Sequence, residues 1–218
     1  FLHASANEIM MRGIKTDVRR LGRVREEFDV MVQEVMLGEA LDVDVATRQT
    51  VSSELIEQKM YLKTASYTFI RPMKMGAALA GASKTFYGFC ETFGTALGLA
   101  FQIQDDLLDL TASAKTVHKT VFSDLREHQH TVFTQHIFEQ GTKAERNELC
   151  ALMDMDLTET HRPRVEKLFR ESGALAHGRA RMLEHFDEAE RALADLRLSM
   201  ARKQALHDLL IYIRDRLH

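Results

Sequence analysis

Three aspartates interrupt an otherwise apolar stretch near the middle of the chain, in the segment FQIQDDLLD that spans 101–109. Side chains four positions apart share one face of a helix, so Asp105 and Asp109 are predicted to point the same way, with Asp106 beside them. Ionised carboxylates this close repel one another, and leaving them unpaired beside a core is costly. Mg²⁺ resolves this conflict, because it is commonly held by carboxylates together with substrate phosphates. The pattern is thus typical of a metal–diphosphate site, but by itself it is more often a solvated acidic helix end, so the surrounding motifs must decide between the two.

The spacing of apolar residues predicts the helices that must position these aspartates. Helices are expected over roughly 52–69, after Pro72, and over 84–109, where the last one carries the acidic segment. A capping box at 142–145 opens a further helix, and Gly173 separates two more. Strand-like alternation is scarce. We therefore predict an all-α domain of roughly eight to ten helices.

Composition limits the class of protein. A chain of 218 residues with 45% hydrophobic and 28% charged residues is long enough for one good-sized core. The formal net charge of −3 argues against a nucleic-acid partner, whose binding surface would be basic. Cys90 and Cys150 lie in apolar helical sequence, so we expect no disulfide scaffold and a cytoplasmic, reducing compartment. No apolar run is long enough for stable membrane insertion.

The order of the polar motifs resembles that of one known family. GEALDVD, YLKTASYTF, FQIQDDLLD and VHKTVFSDLRE follow one another along the chain. This set resembles the trans-isoprenyl diphosphate synthases, or polyprenyl synthetases, whose second aspartate-rich motif reads much like FQxxDDxxD. KTASYTFIRPMKMGAALAGA is most similar to the bacterial geranylgeranyl diphosphate synthase type. The resemblance covers nearly the whole chain and implies one helical bundle of the isoprenoid synthase (class I terpenoid synthase) type over 1–218.

The resemblance also implies which residues bind the metal and the substrates. Asp105, Asp106 and Asp109 would hold Mg²⁺ against an allylic diphosphate. Lys63 and Lys119 would contact the diphosphate oxygens, although Lys119 follows His118 where the family has glycine. Product length and the choice of allylic donor are left open.

Lys63, Thr64 and Gln102 are the catalytic residues that the resemblance implies. Lys63 would stabilise the charge that builds as the C–O bond breaks, and the dipoles of Thr64 and Gln102, the latter also a substrate-binding residue, would favour an allylic cation. The double bond of isopentenyl diphosphate would attack this cation, and loss of a proton would give a longer trans-prenyl diphosphate of the geranylgeranyl or farnesyl class. The plainer alternatives are a solvated lysine and a glutamine satisfied by the backbone.

Three departures from the family pattern keep other functions open. A first aspartate-rich motif is not found, so we expect the N-terminal portion of the domain to be missing from this sequence and these residues alone to be inactive. Glu39 stands where the family has glutamine, and Gln129 replaces a late lysine. The alternatives are a catalytically degenerate homologue that acts as a regulatory or scaffold subunit, and a class I terpene cyclase. The family resemblance further implies a homodimer.

Overall fold

Helix α5, from Lys84 to Thr111, runs through the core and carries the three aspartates at its C-terminal end. Phe93 and Leu97 are fully buried on this helix. A Cβ atom at Gly98 would lie 2.3 Å from the Cβ of Ala65, so glycine is what lets the neighbouring segment approach α5 this closely. The predicted helix over 84–109 is confirmed.

The structure, a computed structural model, describes residues 2–13, 15–48, 50–111 and 122–217. Every regular element in these ranges is helical, which confirms the predicted all-α fold. No helix in them combines the length and the low polarity needed to cross a bilayer. The α-helices are α1 (Leu2–Gly13), α2 (Val18–Ala46), α3 (Ser53–Met60), α4 (Arg71–Ala80), α5 (Lys84–Thr111), α6 (Ser123–Arg126), α7 (Val132–Gln140), α8 (Lys143–Met153), α9 (Arg162–Glu171), α10 (Ala174–Asp195) and α11 (Met200–Arg214), with 3₁₀ turns at Glu159–His161 and Asp215–Leu217.

A π-helical segment, Tyr61–Ile70, joins α3 to α4 without a break. The sequence predicted an ordinary helix here and a new one after Pro72. Instead, the amide of Arg71 donates to the carbonyl of Ser66, five residues back, and Pro72 follows in the first turn of α4. Proline cannot donate to the preceding turn, so a wider turn just before it keeps the helix continuous. The segment packs against both α2 and α5 and presents the Lys-Thr pair between them.

Two local signals in the sequence are confirmed. Thr142 and Glu145 form the predicted capping box, with the Thr142 amide donating to Glu145 Oε2 at 2.6 Å and the Glu145 amide donating to Thr142 Oγ1 at 3.2 Å. Gly173 separates α9 from α10 in the left-handed conformation, with φ of 81°. Helix α10 then lies along α5 and closes the core on that side.

Candidate functional site

A cavity of about 110 Å³ lies between α2, α3, the π-helical segment, α5 and the connection from α6 to α7. The structure brings four of the predicted site residues to its wall, namely Lys63, Thr64, Gln102 and Asp106. It adds polar residues to which the sequence had assigned no catalytic or binding role. These are Asp42, Lys59, Asp124, Glu127, Gln129, His130 and Thr131.

The basic wall of the cavity consists of two lysines around one buried carboxylate. Asp42 Oδ2 lies 2.5 Å from Lys63 Nζ, and Asp42 Oδ1 lies 3.1 Å from Lys59 Nζ. Burial opposes ionisation of Asp42, but the ammonium groups of Lys63 and Lys59 outweigh it and hold the pKa of Asp42 below its usual value. Glu39 is 3.5 Å from Lys63 but is largely exposed. Two ammonium groups thus share one buried carboxylate, which leaves this wall positive.

A chain of hydrogen bonds connects the Lys-Thr pair to the acidic segment. The hydroxyl of Thr64 donates to Gln102 Oε1 at 2.6 Å, and Gln102 Nε2 donates to Asp106 Oδ1 at 2.7 Å. The donors fix the direction of the chain, because a carboxylate can only accept. Since the hydroxyl proton of Thr64 points to Gln102, the remaining lone pairs of Thr64 Oγ1 are free to face a positive charge in the cavity.

The acidic wall consists of Asp106 and Asp124. Burial raises the pKa of Asp106 to about 7, and the neighbouring Asp105 and Asp109 act in the same direction. Burial also raises the pKa of Asp124 to about 8, with Asp106 and Asp109 adding to the effect. The ammonium of Lys59 opposes both shifts. The buried Asp106 and the partly buried Asp124 therefore lie together with too little positive charge nearby to neutralise them.

Asp105 and Asp109 have partners of their own outside the cavity. Asp105 is half exposed, and its Oδ1 lies 3.3 Å from Nη2 of Arg216, whose guanidinium stacks over the ring of Phe101 at 4.2 Å. Asp109 accepts from the amide and hydroxyl of Ser123 at 3.0 and 2.6 Å and from the amide of Asp124 at 3.1 Å. The three aspartates thus share a helix end but not an environment.

Downstream of α5, the sequence departs from the family motifs at positions 118 and 129. Lys119 lies outside the described residues, as does His118. Gln129, which stands where the resemblance predicts lysine, accepts from Lys59 Nζ at 3.2 Å and donates from its Nε2 to Asp42 Oδ2 at 3.4 Å. The neutral amide is therefore built into the basic wall.

The donor set fits a hard divalent cation such as Mg²⁺. All candidate ligands are carboxylate oxygens, which Mg²⁺ prefers, and a cation would offset the cost of ionising Asp106 and Asp124 together. Among the described residues, however, no three acidic, histidine or cysteine side chains are arranged to chelate a metal by themselves. The arrangement suits a cation whose remaining ligands are waters and phosphate oxygens.

Lys59 is one of the site residues to which the sequence assigned no role. Its side chain is only 9% exposed, and it lies four positions before Lys63 on the same helical face. That spacing was the available signal, but a lysine on a helix is ordinarily solvated. Its burial depends on Asp42 from α2 and on the chain near 129–130, which no local pattern indicates.

Comparison with known proteins gives a consistent result. The polyprenyl synthetase family model matches residues 1–171. The geranylgeranyl diphosphate synthase of Sulfolobus acidocaldarius is 33% identical over 137 residues, covering 60% of this chain and 40% of that protein. The short chain isoprenyl diphosphate synthase of Methanothermobacter thermautotrophicus is 29% identical over 198 residues, covering 89% of this chain and 60% of that protein. The chain thus spans well under two thirds of the length of both relatives.

Solved structures share the fold. The geranylgeranyl pyrophosphate synthase of Corynebacterium glutamicum, complexed with isoprenyl diphosphate and magnesium, has a TM-score of 0.85 at 25% identity, covering 92% of this chain and 57% of that one. The geranylgeranyl pyrophosphate synthetase of Pyrococcus horikoshii also has a TM-score of 0.85, at 24% identity, covering 97% of this chain and 64% of that one.

Proposed function

The chain belongs to the polyprenyl synthetase family, and from this premise we propose that it acts as a trans-prenyltransferase, which condenses an allylic diphosphate with isopentenyl diphosphate. The observation that carries the proposal is one cavity that is lined by two lysines on one wall and by the carboxylates of Asp106 and Asp124 on the other. The basic wall suits a polyanion and the acidic wall suits a divalent cation, so the pair matches a metal–diphosphate. Relatives named geranylgeranyl and geranylfarnesyl diphosphate synthases support the same reaction.

In this proposal the basic wall binds the leaving group. Lys63 is about one third exposed, so its ammonium, which Asp42 holds at 2.5 Å, can also reach a diphosphate oxygen. Thr64 Oγ1 would direct its lone pairs towards the developing allylic cation, because its proton is already donated to Gln102. Gln102 would hold that orientation by bonding Thr64 and Asp106 at the same time. Burial of the cavity floor would keep water away from the cation.

The acidic wall would hold Mg²⁺ through Asp106, with Asp105 and Asp109 as further ligands. Bound Mg²⁺ would neutralise the diphosphate and so make it a good leaving group. Asp109 already accepts three hydrogen bonds. A carboxylate has about four lone-pair sites, so Asp109 keeps roughly one for a water or a cation.

We also propose that the protein is a cytoplasmic homodimer. Met36, Leu37 and Val43 on α2 are each at least 60% exposed and form an apolar face, which a second copy would cover. The small-residue segment 76–89 is less suited to this role, because Ala77, Ala78 and Phe89 are buried within the chain. Light scattering tests the dimer, and a mass near 24.9 kDa at all concentrations would contradict it.

Calorimetry with inorganic diphosphate tests the site, and an assay with radiolabelled isopentenyl diphosphate tests the reaction. We expect diphosphate to bind more tightly with Mg²⁺ than without it. Labelled product should form from an allylic donor when the chain is assayed together with the N-terminal portion of a polyprenyl synthetase domain, because these residues alone are expected to be inactive. Equally tight diphosphate binding in EDTA would contradict the metal assignment. Intact Mg²⁺–diphosphate binding without any product would favour a non-catalytic subunit instead.

A further inference from the structure

Lys59 is a buried ammonium that the proposed reaction does not use directly. Its Nζ lies 3.1 Å from Asp42 Oδ1, 3.2 Å from Gln129 Oε1 and 3.0 Å from the carbonyl oxygen of His130. An ammonium group has three protons to donate, and these three acceptors use all of them. Lys59 therefore ties α3 to α2 and to the segment 127–131, which connects α6 to α7.

The chain that bears Asp124 needs such a tether. Phe122 and His128 both adopt positive φ angles, of 56° and 54°, so non-glycine residues in the left-handed conformation bracket Asp124 on either side. This conformation persists only where the surroundings hold it. Asp109 holds the first end, through the amides of Ser123 and Asp124. Lys59 holds the second end, at Gln129 and His130.

The positive charge of Lys59 also lies close to position 129, where this sequence lacks the lysine that the family resemblance predicts. The resemblance predicts lysine at position 129, and the chain has a neutral glutamine there. The amide oxygen of Gln129 accepts from Lys59, and its Nε2 reaches Asp42 Oδ2 at 3.4 Å. The ammonium of Lys59 thus lies beside the side-chain amide of Gln129, and both groups contact the carboxylate of Asp42.

We propose that Lys59 is a positioning residue of the diphosphate site, which holds the Asp124 segment in place and supplies from α3 the positive charge that side chain 129 does not carry. The tether stands on the contacts of Lys59 alone. The role of the charge rests on the proposed function, since it assumes that the cavity takes a diphosphate.

Four variants separate this role from that of an ordinary buried lysine. Lys59→Met removes the charge at nearly constant length, and Lys59→Arg keeps the charge. The double variant Lys59→Met/Gln129→Lys, called the relocated-lysine variant, moves the ammonium to position 129, from which it can reach Asp42. Its matched control, Lys59→Met/Gln129→Met, makes the same two replacements without restoring the charge.

Hydrogen exchange without any ligand tests the tether. The backbone amide of Gln129 donates to the backbone carbonyl of Asp124 at 2.8 Å, so its exchange rate reports on this segment directly. We expect Lys59→Met to speed exchange in 126–131 by about tenfold or more, with 143–153 in α8 unchanged. Lys59→Arg and the relocated-lysine variant should restore protection. Unchanged exchange in Lys59→Met would overturn the proposal whether or not diphosphate binds.

Calorimetry with Mg²⁺ and inorganic diphosphate tests the charge. We expect Lys59→Met and the Met/Met control to weaken binding by about tenfold or more, and the relocated lysine to restore it to within about threefold of the wild type. Wild-type affinity in both charge-free variants would overturn the role of the charge. A wild-type chain that binds no Mg²⁺–diphosphate would refute the proposed function, while the exchange experiment still decides the tether. If Lys59→Met does not fold, the double variant Lys59→Met/Gln129→Lys is still expected to fold. Failure of that double variant to fold would count against the proposal.

Discussion

Two clusters of buried and partly buried charge, one around Arg71 and one at the acidic wall, differ in how completely they are neutralised. In the first, the Arg71 cluster, Arg71 donates to both carboxylate oxygens of Glu34 at 2.8 and 2.6 Å and to Glu27 at 2.7 Å, and Ser66 donates to Glu34 as well. In the second, the acidic wall, burial raises the pKa of both Asp106 and Asp124, neighbouring aspartates add to the effect, and Lys59 only partly offsets it.

The difference indicates what each cluster is for. A buried ion pair whose hydrogen bonds are satisfied can hold α2 and α4 together without any ligand. Buried carboxylates left short of positive charge are unfavourable in the free protein, and they become favourable once a cation arrives. The Arg71 cluster is thus interpreted as structural and the acidic wall as functional, and the following predictions test that division.

The largest expected effect is on activity. Asp106→Asn keeps the shape of the side chain but removes its charge, so we expect turnover with Mg²⁺ to fall by about a thousandfold or more. The metal-free fold should be retained, because the change removes a buried charge. A steady-state assay with labelled isopentenyl diphosphate, run with the N-terminal portion of the domain supplied, measures the loss. Asp187→Asn, on an exposed position of α10, is the matched control and should change turnover less than about twofold. Normal turnover in Asp106→Asn would remove Asp106 from the site.

The Arg71 cluster should respond in the opposite way. Arg71→Met leaves Glu27 and Glu34 buried without their partner, so we expect the free energy of unfolding to fall by about 3–5 kcal/mol. Affinity for Mg²⁺–diphosphate should stay within about twofold among folded molecules. Urea denaturation and calorimetry measure the two quantities.

Arg164 supplies the control for that experiment, since its ion pair with Glu148 is largely exposed. Arg164→Met should lower the free energy of unfolding far less than Arg71→Met does, because water and salt screen an exposed ion pair. If Arg71→Met lowers the free energy of unfolding as little as Arg164→Met does, or if it abolishes diphosphate binding, the Arg71 cluster is not the structural counterpart of the acidic wall.

The pH dependence of the metal-free protein should reveal the acidic wall. The carboxyl of Asp106 has a pKa of about 7 in the fold and 3.8 as its ordinary value, so the folded state binds more protons between these values. Its contribution to stability is therefore complete below about pH 4 and is lost as the pH rises towards 7. Asp124, with a pKa near 8, acts in the same direction.

We expect the free energy of unfolding to fall by an amount on the order of 2 kcal/mol between pH 5 and 8 as a result. Urea denaturation in EDTA measures it, and Asp106→Asn should flatten much of the slope. The wild-type free energy of unfolding could instead rise over this range and respond identically in Asp106→Asn. That result would show that the pKa of Asp106 is not raised by burial.

The smallest expected effect concerns backbone strain beside the acidic wall. His128 is half exposed and has φ of 54°, so His128→Gly should relieve strain and stabilise the fold by about 0.5–1 kcal/mol. Thermal unfolding measures the gain. His207→Gly, within α11, is the contrasting control and should destabilise by a similar amount. Destabilisation by His128→Gly would mean that its side chain matters more than its backbone.

Much of the helical layout follows from local sequence. The span of α5, the capping box at 142–145 and the break at Gly173 are confirmed, because each depends on residues within a few positions of one another. Helix α1 was not predicted from the sequence. The π-helical segment also escaped prediction, since a wider turn leaves the apolar spacing nearly unchanged.

For the site, the sequence by itself determined that Lys63, Thr64 and Gln102 are present and that Asp105 and Asp109 are spaced for one face of a helix, with Asp106 beside them. Only the tertiary structure decided how the three aspartates are divided. Asp106 is buried, Asp105 meets an arginine 111 positions later, and Asp109 holds a turn 14 positions later. The physical reason is that helical periodicity fixes the directions of side chains relative to one another, whereas the segment that covers each direction is chosen by packing across the whole chain. The burial of Lys59 beside Gln129, 70 positions away, follows from the same packing.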